Sequence, residues 1–129
     1  MAKRILIVDD DKAIADMLEQ TLLQEGYSAR KTTQPLRFYD EVREFQPDLI
    51  LLDLMMPYLD GSDELRLLSL NPETSSIPVI MVTAHVDAKR NEEEYQAQGV
   101  KIVVTKPVDL NYILQLIRDT VGEPREEQA

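Results

Sequence analysis

Aliphatic residues gather in four short runs along the chain, and polar residues follow each run directly. The runs occupy residues 5–8, 49–52, 77–82 and 102–104. Apolar runs of this length are typical of strands that are buried on both faces of a sheet. A further extended segment, residues 27–33, mixes polar and basic side chains, which favours a place at the edge of the sheet. The pattern therefore predicts five strands.

Apolar residues recur at helical spacing in the segments that follow these strands. The last helix is the clearest, since Asp109 is expected to cap it and its apolar positions are Leu110, Ile113, Leu114, Ile117 and Val121. The fourth helix, predicted over residues 85–98, has a thin apolar stripe, and its three glutamates at 92–94 are expected to face solvent. Five alternations of strand and helix predict an α/β protein whose parallel sheet is covered by helices on both faces.

Polar side chains stand where four of the predicted strands end. Because the carboxyl ends of parallel strands meet at one edge of a sheet, these residues are expected to converge although they are far apart in the sequence. If the strand order is 2-1-3-4-5, the first and third strands are neighbours, and a crevice forms between their ends. The converging residues are Asp9, Asp10, Asp53, Thr83 and Lys106.

Three carboxylates at close quarters repel one another and raise one another's pKa. The ammonium of Lys106 is one source of relief, and a hard divalent cation is another. Carboxylate, carbonyl and water oxygens suit Mg²⁺, which would also neutralise the oxygens of an incoming phosphoryl group. Asp53 is then an activated carboxylate that is able to form an acyl phosphate.

Composition restricts the class of protein. The chain has 129 residues, 43% of them hydrophobic, which suits one globular domain. It has no cysteine and a formal net charge of −10. The acidic balance argues against direct binding to nucleic acid or to an anionic membrane. No secretory signal and no stretch of membrane-spanning length is apparent, so a cytoplasmic location is expected.

The chain resembles the response-regulator receiver domain of two-component signalling, over about residues 3 to 121. Four motifs in order carry the resemblance: residues 7–10 (Ile-Val-Asp-Asp), residues 53–57 with Asp60-Gly61, residues 82–84 (Val-Thr-Ala) and Lys106-Pro107. The resemblance implies a flavodoxin-like, doubly wound fold with five parallel strands in the order 2-1-3-4-5 and five helices. The domain would span residues 1–122, and residues 123–129 would form a short polar tail.

The resemblance also implies a role for each site residue. Asp53 would be the phosphoacceptor, Thr83 would hydrogen-bond a phosphoryl oxygen, and Lys106 would pair with another, with a cis bond to Pro107. Mg²⁺ would be the cofactor. Its ligands would be Asp10 directly, Asp9 mainly through water, Asp53, and the backbone carbonyl of Met55.

The implied partners are a histidine kinase or a histidine phosphotransfer protein as donor, and a downstream protein that binds the face formed by the fourth helix, the fifth strand and the fifth helix. The chain would catalyse its own phosphorylation and slow dephosphorylation, and would not be an enzyme acting on an external substrate. One position departs from the family pattern. Val103 stands where a large aromatic residue is expected to report on phosphorylation, so either switching here relies on backbone shifts of the fourth strand and helix or the coupling is weaker.

Other interpretations of the same residues are open at this point. Asp9, Asp10 and Asp11 also suit the N-terminus of a helix, where Asp10 or Asp11 can be the cap and Asp11 is otherwise a solvated residue. A Mg²⁺-dependent phosphohydrolase with an aspartyl-phosphate intermediate is the main alternative function, although Met55 stands where such an enzyme would carry a second acid. A flavin- or nucleotide-binding domain is disfavoured because no glycine-rich loop follows the first strand.

Overall fold

The computed structural model describes residues 2–34, 37–53, 55–56 and 59–125, and for residues 55–56, 59–64 and 86 it describes the backbone alone. The strands are β1 (Arg4–Val8), β2 (Ser28–Thr32), β3 (Leu49–Leu52), β4 (Met55–Met56), β5 (Leu59–Asp60), β6 (Val79–Thr83) and β7 (Val100–Thr105). The helices are α1 (Lys12–Gln24), α2 (Phe38–Phe45), α3 (Gly61–Leu70), α4 (Val86–Arg90), α5 (Glu92–Ala97) and α6 (Leu110–Val121).

Five strands form one sheet in the order β2-β1-β3-β6-β7, and every neighbouring pair is parallel. This order confirms the predicted order 2-1-3-4-5. The polar strand β2 lies at one edge, as predicted, and the wholly apolar β3 lies in the middle. Burial on both faces explains the difference, because a central strand of a doubly wound sheet has no side that faces water.

Side chains alternate between two apolar layers along each central strand. Leu6, Ile50 and Met81 face the layer that is formed with α2, α3 and α4. Ile5 and Leu51 face the layer that is formed with α1 and α6. The predicted fold is therefore confirmed: helices cover both faces of a parallel sheet, and the carboxyl ends of its strands share one edge.

The structure selects Asp11 from the two candidate caps of the first helix and confirms Asp109 as the cap of the last. The Asp11 side chain accepts hydrogen bonds from the amides of Ala13 and Ile14 at the start of α1. The Asp109 side chain accepts a hydrogen bond from the amide of Tyr112 at the start of α6. Each carboxylate pairs amides that have no partner within the helix, and its charge suits the positive end of the helix dipole.

The predicted fourth helix is two helices, so the prediction of one helix over residues 85–98 is wrong. Helix α4 ends at Arg90, and α5 starts at Glu92 after Asn91, whose φ of −99° and ψ of 20° are not helical. Asparagine competes for backbone hydrogen bonds and disfavours a helix interior. The described helices therefore number six instead of the predicted five.

Two short strands that the sequence analysis did not predict follow β3. Strands β4 and β5 pair antiparallel there, with Met55 opposite Asp60. Two residues quoted for the family resemblance, Leu54 and Pro57, lie outside the described residues. The end of the polar tail, residues 126–129, also lies outside them. At the beginning of that tail, Arg125 forms an antiparallel bridge with Ala2.

Burial in the central strand predicts a large effect of truncation there. Leu51 is 1% exposed, and we expect Leu51→Ala to lower the free energy of unfolding by about 2–5 kcal/mol, since it removes apolar contacts and leaves a cavity. Urea denaturation measures the change. The matched control is Leu70→Ala on α3, which is 72% exposed and should change stability by less than about 0.5 kcal/mol. Equal losses in the two variants would contradict the described core.

Candidate functional site

Two aspartates lie side by side because the strands that precede them are paired. Val8 of β1 is opposite Leu52 of β3, and each strand continues directly into an aspartate. The amide of Asp53 donates to the carbonyl of Val8 at 2.9 Å, so the ladder extends one residue beyond the strand. Asp9 and Asp53 are both buried. The prediction that they converge at the carboxyl edge of the sheet is confirmed.

Lys106 follows the edge strand β7 and reaches this pair across the end of β6. Its Nζ lies 2.9 Å from Oδ2 of Asp9 and 3.2 Å from Oδ2 of Asp53. Its backbone amide donates to the carbonyl of Thr83 at 2.8 Å, which fixes the residue at the end of β7. The bond to Pro107 is cis, as the family resemblance implied. One ammonium therefore bridges two carboxylates that come from different strands.

Asp9 is held through both of its carboxylate oxygens. Oδ1 accepts a hydrogen bond from the amide of Asp11 at 2.9 Å, and Oδ2 contacts Lys106. The Asp11 amide is a partner that the sequence pattern did not indicate, since it comes from the backbone at the turn into α1. With both oxygens occupied, Asp9 suits the predicted role of a residue that meets a metal mainly through water.

The described carboxylates of the site outnumber the ammonium, because Lys106 contacts Asp9 and Asp53 while Asp10 adds a third carboxylate to the cluster. Burial is the largest influence on the pKa of Asp9 and raises it above its usual value, although hydrogen bonds from Lys106 and from the Asp11 amide oppose the rise. Burial alone would lower the pKa of Lys106, but the hydrogen bond to Asp9 and the charges of Asp53 and Asp9 raise it. The rise in the pKa of Asp9 therefore follows from its burial, and the rise in the pKa of Lys106 follows from its two carboxylate partners.

The donor set fits a hard divalent cation. One carboxylate oxygen from each of Asp9, Asp10 and Asp53 lies within 4.8 Å of the others. Asp10 is exposed, unlike its two neighbours, so the cluster opens to water on its side. Oxygen ligands of this kind, together with water, are what Mg²⁺ prefers, and the excess negative charge favours a cation. The fourth predicted ligand, the carbonyl of Met55, belongs to β4 and stands two residues after Asp53, and its participation stays a prediction.

Thr83 ends β6 at the same edge and is fully buried. Its Oγ1 accepts a hydrogen bond from the amide of His85 at 3.1 Å, and His85 is the N-cap residue of α4. The hydroxyl proton is not used in this bond, so it stays able to donate. The site residue Thr83 is therefore linked directly to the start of the next helix.

Val103, the position that departs from the family pattern, is buried in the apolar layer beneath α4. Its backbone contacts two side chains that the sequence analysis did not identify, Lys89 and Glu92. The expectation that residues 92–94 all face solvent is wrong for Glu92, whose carboxylate accepts the amide of Val103. The only sequence signal was the spacing of Lys89 and Glu92, which is also common on solvated helices.

Comparison with known proteins identifies the family. The model of the response regulator receiver domain matches residues 5–118. The chain is a response regulator receiver domain. The matched residues include all four motifs that carried the resemblance.

Named relatives of this receiver domain differ in length. It is 30% identical over 123 residues to the polar-differentiation response regulator DivK of Brucella ovis, covering 95% of this chain and 99% of DivK. It is 35% identical over 115 residues to the DNA-binding dual master transcriptional regulator RpaA of Synechocystis, covering 89% of this chain and 47% of RpaA. The receiver domain thus spans about half of RpaA and nearly all of DivK.

Solved structures agree on the fold. A CheY-like response regulator receiver domain protein from Methanospirillum hungatei superposes with a TM-score of 0.83 at 30% identity, covering 94% of each chain. Chemotaxis protein CheY4 of Vibrio cholerae gives a TM-score of 0.84 at 21% identity, covering 93% of this chain and 99% of CheY4. The second likeness shows the fold alone.

The charge imbalance predicts how Lys106 affects cation binding. Lys106→Met removes the ammonium that competes with a metal for Asp9 and Asp53, so we expect Mg²⁺ to bind about tenfold more tightly. Isothermal titration calorimetry measures the dissociation constant. Lys101→Met, which removes an exposed ammonium on β7, is the matched control and should leave Mg²⁺ affinity unchanged. Weaker binding in Lys106→Met would show that the ammonium does not oppose the cation.

Proposed function

We propose that the protein is a phosphoacceptor switch, in which Asp53 accepts a phosphoryl group and the modification changes a partner-binding surface. The observation that carries the proposal is the environment of the Asp53 carboxylate. It is buried at a strand end, lies 3.2 Å from the ammonium of Lys106, and shares a cluster with Asp9 and Asp10. A carboxylate fixed beside a cation site and a counter-charge suits nucleophilic attack on phosphorus.

The donor is a phosphohistidine of a histidine kinase or of a histidine phosphotransfer protein. A carboxylate oxygen of Asp53 attacks the phosphorus, the new O–P bond forms, and the N–P bond of the donor breaks. The donor imidazole leaves with the electron pair of that bond and takes a proton from water. The product is an acyl phosphate on Asp53 and a free histidine on the donor.

The chain's own groups hold the transferred phosphoryl group. Asp10 and Asp53, with Asp9 through water and the Met55 carbonyl, are the proposed ligands of Mg²⁺, which when bound neutralises phosphoryl oxygens. The ammonium of Lys106, now between Asp9 and Asp53, is placed to pair with a phosphoryl oxygen.

Thr83 completes this set of contacts, because its hydroxyl is able to donate to a phosphoryl oxygen while it accepts the amide of His85. The phosphoryl group would thereby reach the start of α4. A downstream protein would detect the change on the face formed by α4, α5, β7 and α6, which corresponds to the predicted fourth helix, fifth strand and fifth helix.

We further propose that the domain modifies itself and does not turn over an external substrate. The apolar residue Met55 follows Asp53 where a phosphohydrolase of this chemistry would place a second acid. The net charge of −10 disfavours direct binding of this domain to nucleic acid or to an anionic membrane. None of the helices in the described ranges has the length and apolar character to cross a membrane. A cytoplasmic location, where histidine kinases present their phosphohistidines, is part of the proposal.

Incubation with acetyl phosphate and Mg²⁺, followed by intact-mass measurement, tests this function. We expect the wild-type chain to gain one phosphoryl group, and Asp53→Asn to gain none because an amide is not a nucleophile for phosphorus. Asp11→Asn is the matched control, since asparagine caps a helix as well as aspartate does and Asp11 is not a proposed ligand. It should be phosphorylated like the wild type.

Two results would contradict the proposal. One is a phosphoryl gain in Asp53→Asn equal to that of the wild type. The other is multiple turnover of small phosphate esters by the wild-type chain, which would instead support the phosphohydrolase alternative.

A further inference from the structure

Strand β7 is the last strand of the sheet, so one of its sides has no neighbouring strand. Lys106, just beyond β7, donates its amide toward β6. Backbone groups alternate in direction along a strand, so Val103, three residues earlier, directs its amide and carbonyl away from β6. Such an open edge normally needs a cover, because unpaired backbone groups attract other chains.

Three side chains from the α4–α5 segment cover this open edge. The amide of Val103 donates to Oε2 of Glu92 at 2.8 Å, and the carbonyl of Val103 accepts from Nζ of Lys89 at 2.9 Å. The carbonyl of Lys101 accepts from Nε2 of Gln96 at 3.1 Å. Lys89 and Glu92 also pair with each other at 2.8 Å. Together the three side chains supply the donors and the acceptor that a neighbouring strand would supply.

The covering residues stand at positions 89, 92 and 96, which is helical spacing. Polar side chains therefore occupy the helical positions that face the edge of β7. Helix α5 has no buried residue, and among the side chains that the structure describes in this segment Ala88 is buried and Tyr95 is partly buried. The pKa of Glu92 lies below its usual value because the hydrogen bonds from Lys89 and from the Val103 amide favour the charged form. Polar contacts to the backbone of β7 are therefore part of what attaches the segment to the sheet.

Polar attachment makes this segment sensitive to small displacements. A hydrogen bond weakens steeply as its distance and angle depart from the optimum, whereas apolar contact tolerates sliding. The segment is joined to the site at two places. His85, at the start of α4, donates its amide to Thr83, and Val103 lies on the strand that leads to Lys106. Movement of Thr83 would therefore shift α4, and movement of Lys106 would shift β7. Either movement would displace the donors and acceptors of these hydrogen bonds relative to each other.

We propose that Lys89, Glu92 and Gln96 form a polar clasp on the outer edge of β7, which holds the α4–α5 segment closed and which phosphorylation of Asp53 loosens. The second half rests on the proposed function, and the first half does not. The clasp supplies a way for the surface to respond although Val103 has no ring to rotate. It acts by releasing hydrogen bonds to the backbone of Val103, which is the position where the family pattern expects the aromatic ring.

Hydrogen exchange of the full, unmodified chain tests whether the clasp exists. Glu92→Ala removes the acceptor of the Val103 amide, so exchange at Val103 and across residues 86–97 should become about tenfold faster, as expected for the loss of a hydrogen bond to a charged group. Glu93→Ala removes the same charge from an exposed neighbour and should leave exchange unchanged. Equal exchange in the two variants would overturn the clasp. If Glu92→Ala fails to fold, Gln96→Ala tests the contact with Lys101 alone.

The second arm repeats the exchange measurement with Mg²⁺ and excess acetyl phosphate, and intact mass reports the modification. In the wild type, added phosphoryl mass should accompany faster exchange across residues 86–97, and Glu92→Ala should show little further increase. Added mass with unchanged exchange would overturn the claim that phosphorylation loosens the clasp and would leave the proposed function standing. Absence of added mass would overturn the proposed function together with that claim, while the first arm still decides whether the clasp exists.

Discussion

The contact between one ammonium and two buried carboxylates depends on almost every feature of the fold. Lys106 meets Asp9 and Asp53 at 2.9 and 3.2 Å only because β1, β3 and β7 run parallel and end at the same edge of the sheet. Taking charges out of water is costly unless they are paired, and removal of one partner leaves the others uncompensated. The sheet order and the cis bond before Pro107 place Lys106 where that pairing is possible.

The same contact leaves a deficit of positive charge that suits the proposed chemistry. Lys106 is shared by Asp9 and Asp53, and Asp10 stands beside them, so the cluster of three carboxylates is net negative. A bound divalent cation would reduce the deficit and a phosphoryl group would restore it, so each would alter the forces on Lys106. Those forces reach the surface through β7 and through the bond from His85 to Thr83, which are the two attachments of the α4–α5 segment.

The sequence was informative where apolar periodicity or topology determines the structure. The run at Leu49–Leu52 indicated a buried central strand, and the rule that parallel strands end together brought Asp9, Asp53 and Lys106 to one edge. The sequence was uninformative where polar side chains form hydrogen bonds with the backbone. The partner of Glu92 is an amide, which leaves no trace in the identity of residue 103, and three consecutive glutamates resemble a solvated face. The break at Asn91 escaped detection because the low helix propensity of a single asparagine is a weak signal and does not by itself end a helix.

The central claim is that Asp53, among the three clustered aspartates, becomes the acyl phosphate. Borohydride reduces an aspartyl phosphate to homoserine, so treatment of the phosphorylated chain followed by peptide mass spectrometry reads the modified position directly. The account predicts homoserine at position 53 and unchanged aspartate at positions 9 and 10. Homoserine at position 9 or 10, or a phosphorylated chain that yields none, would contradict it.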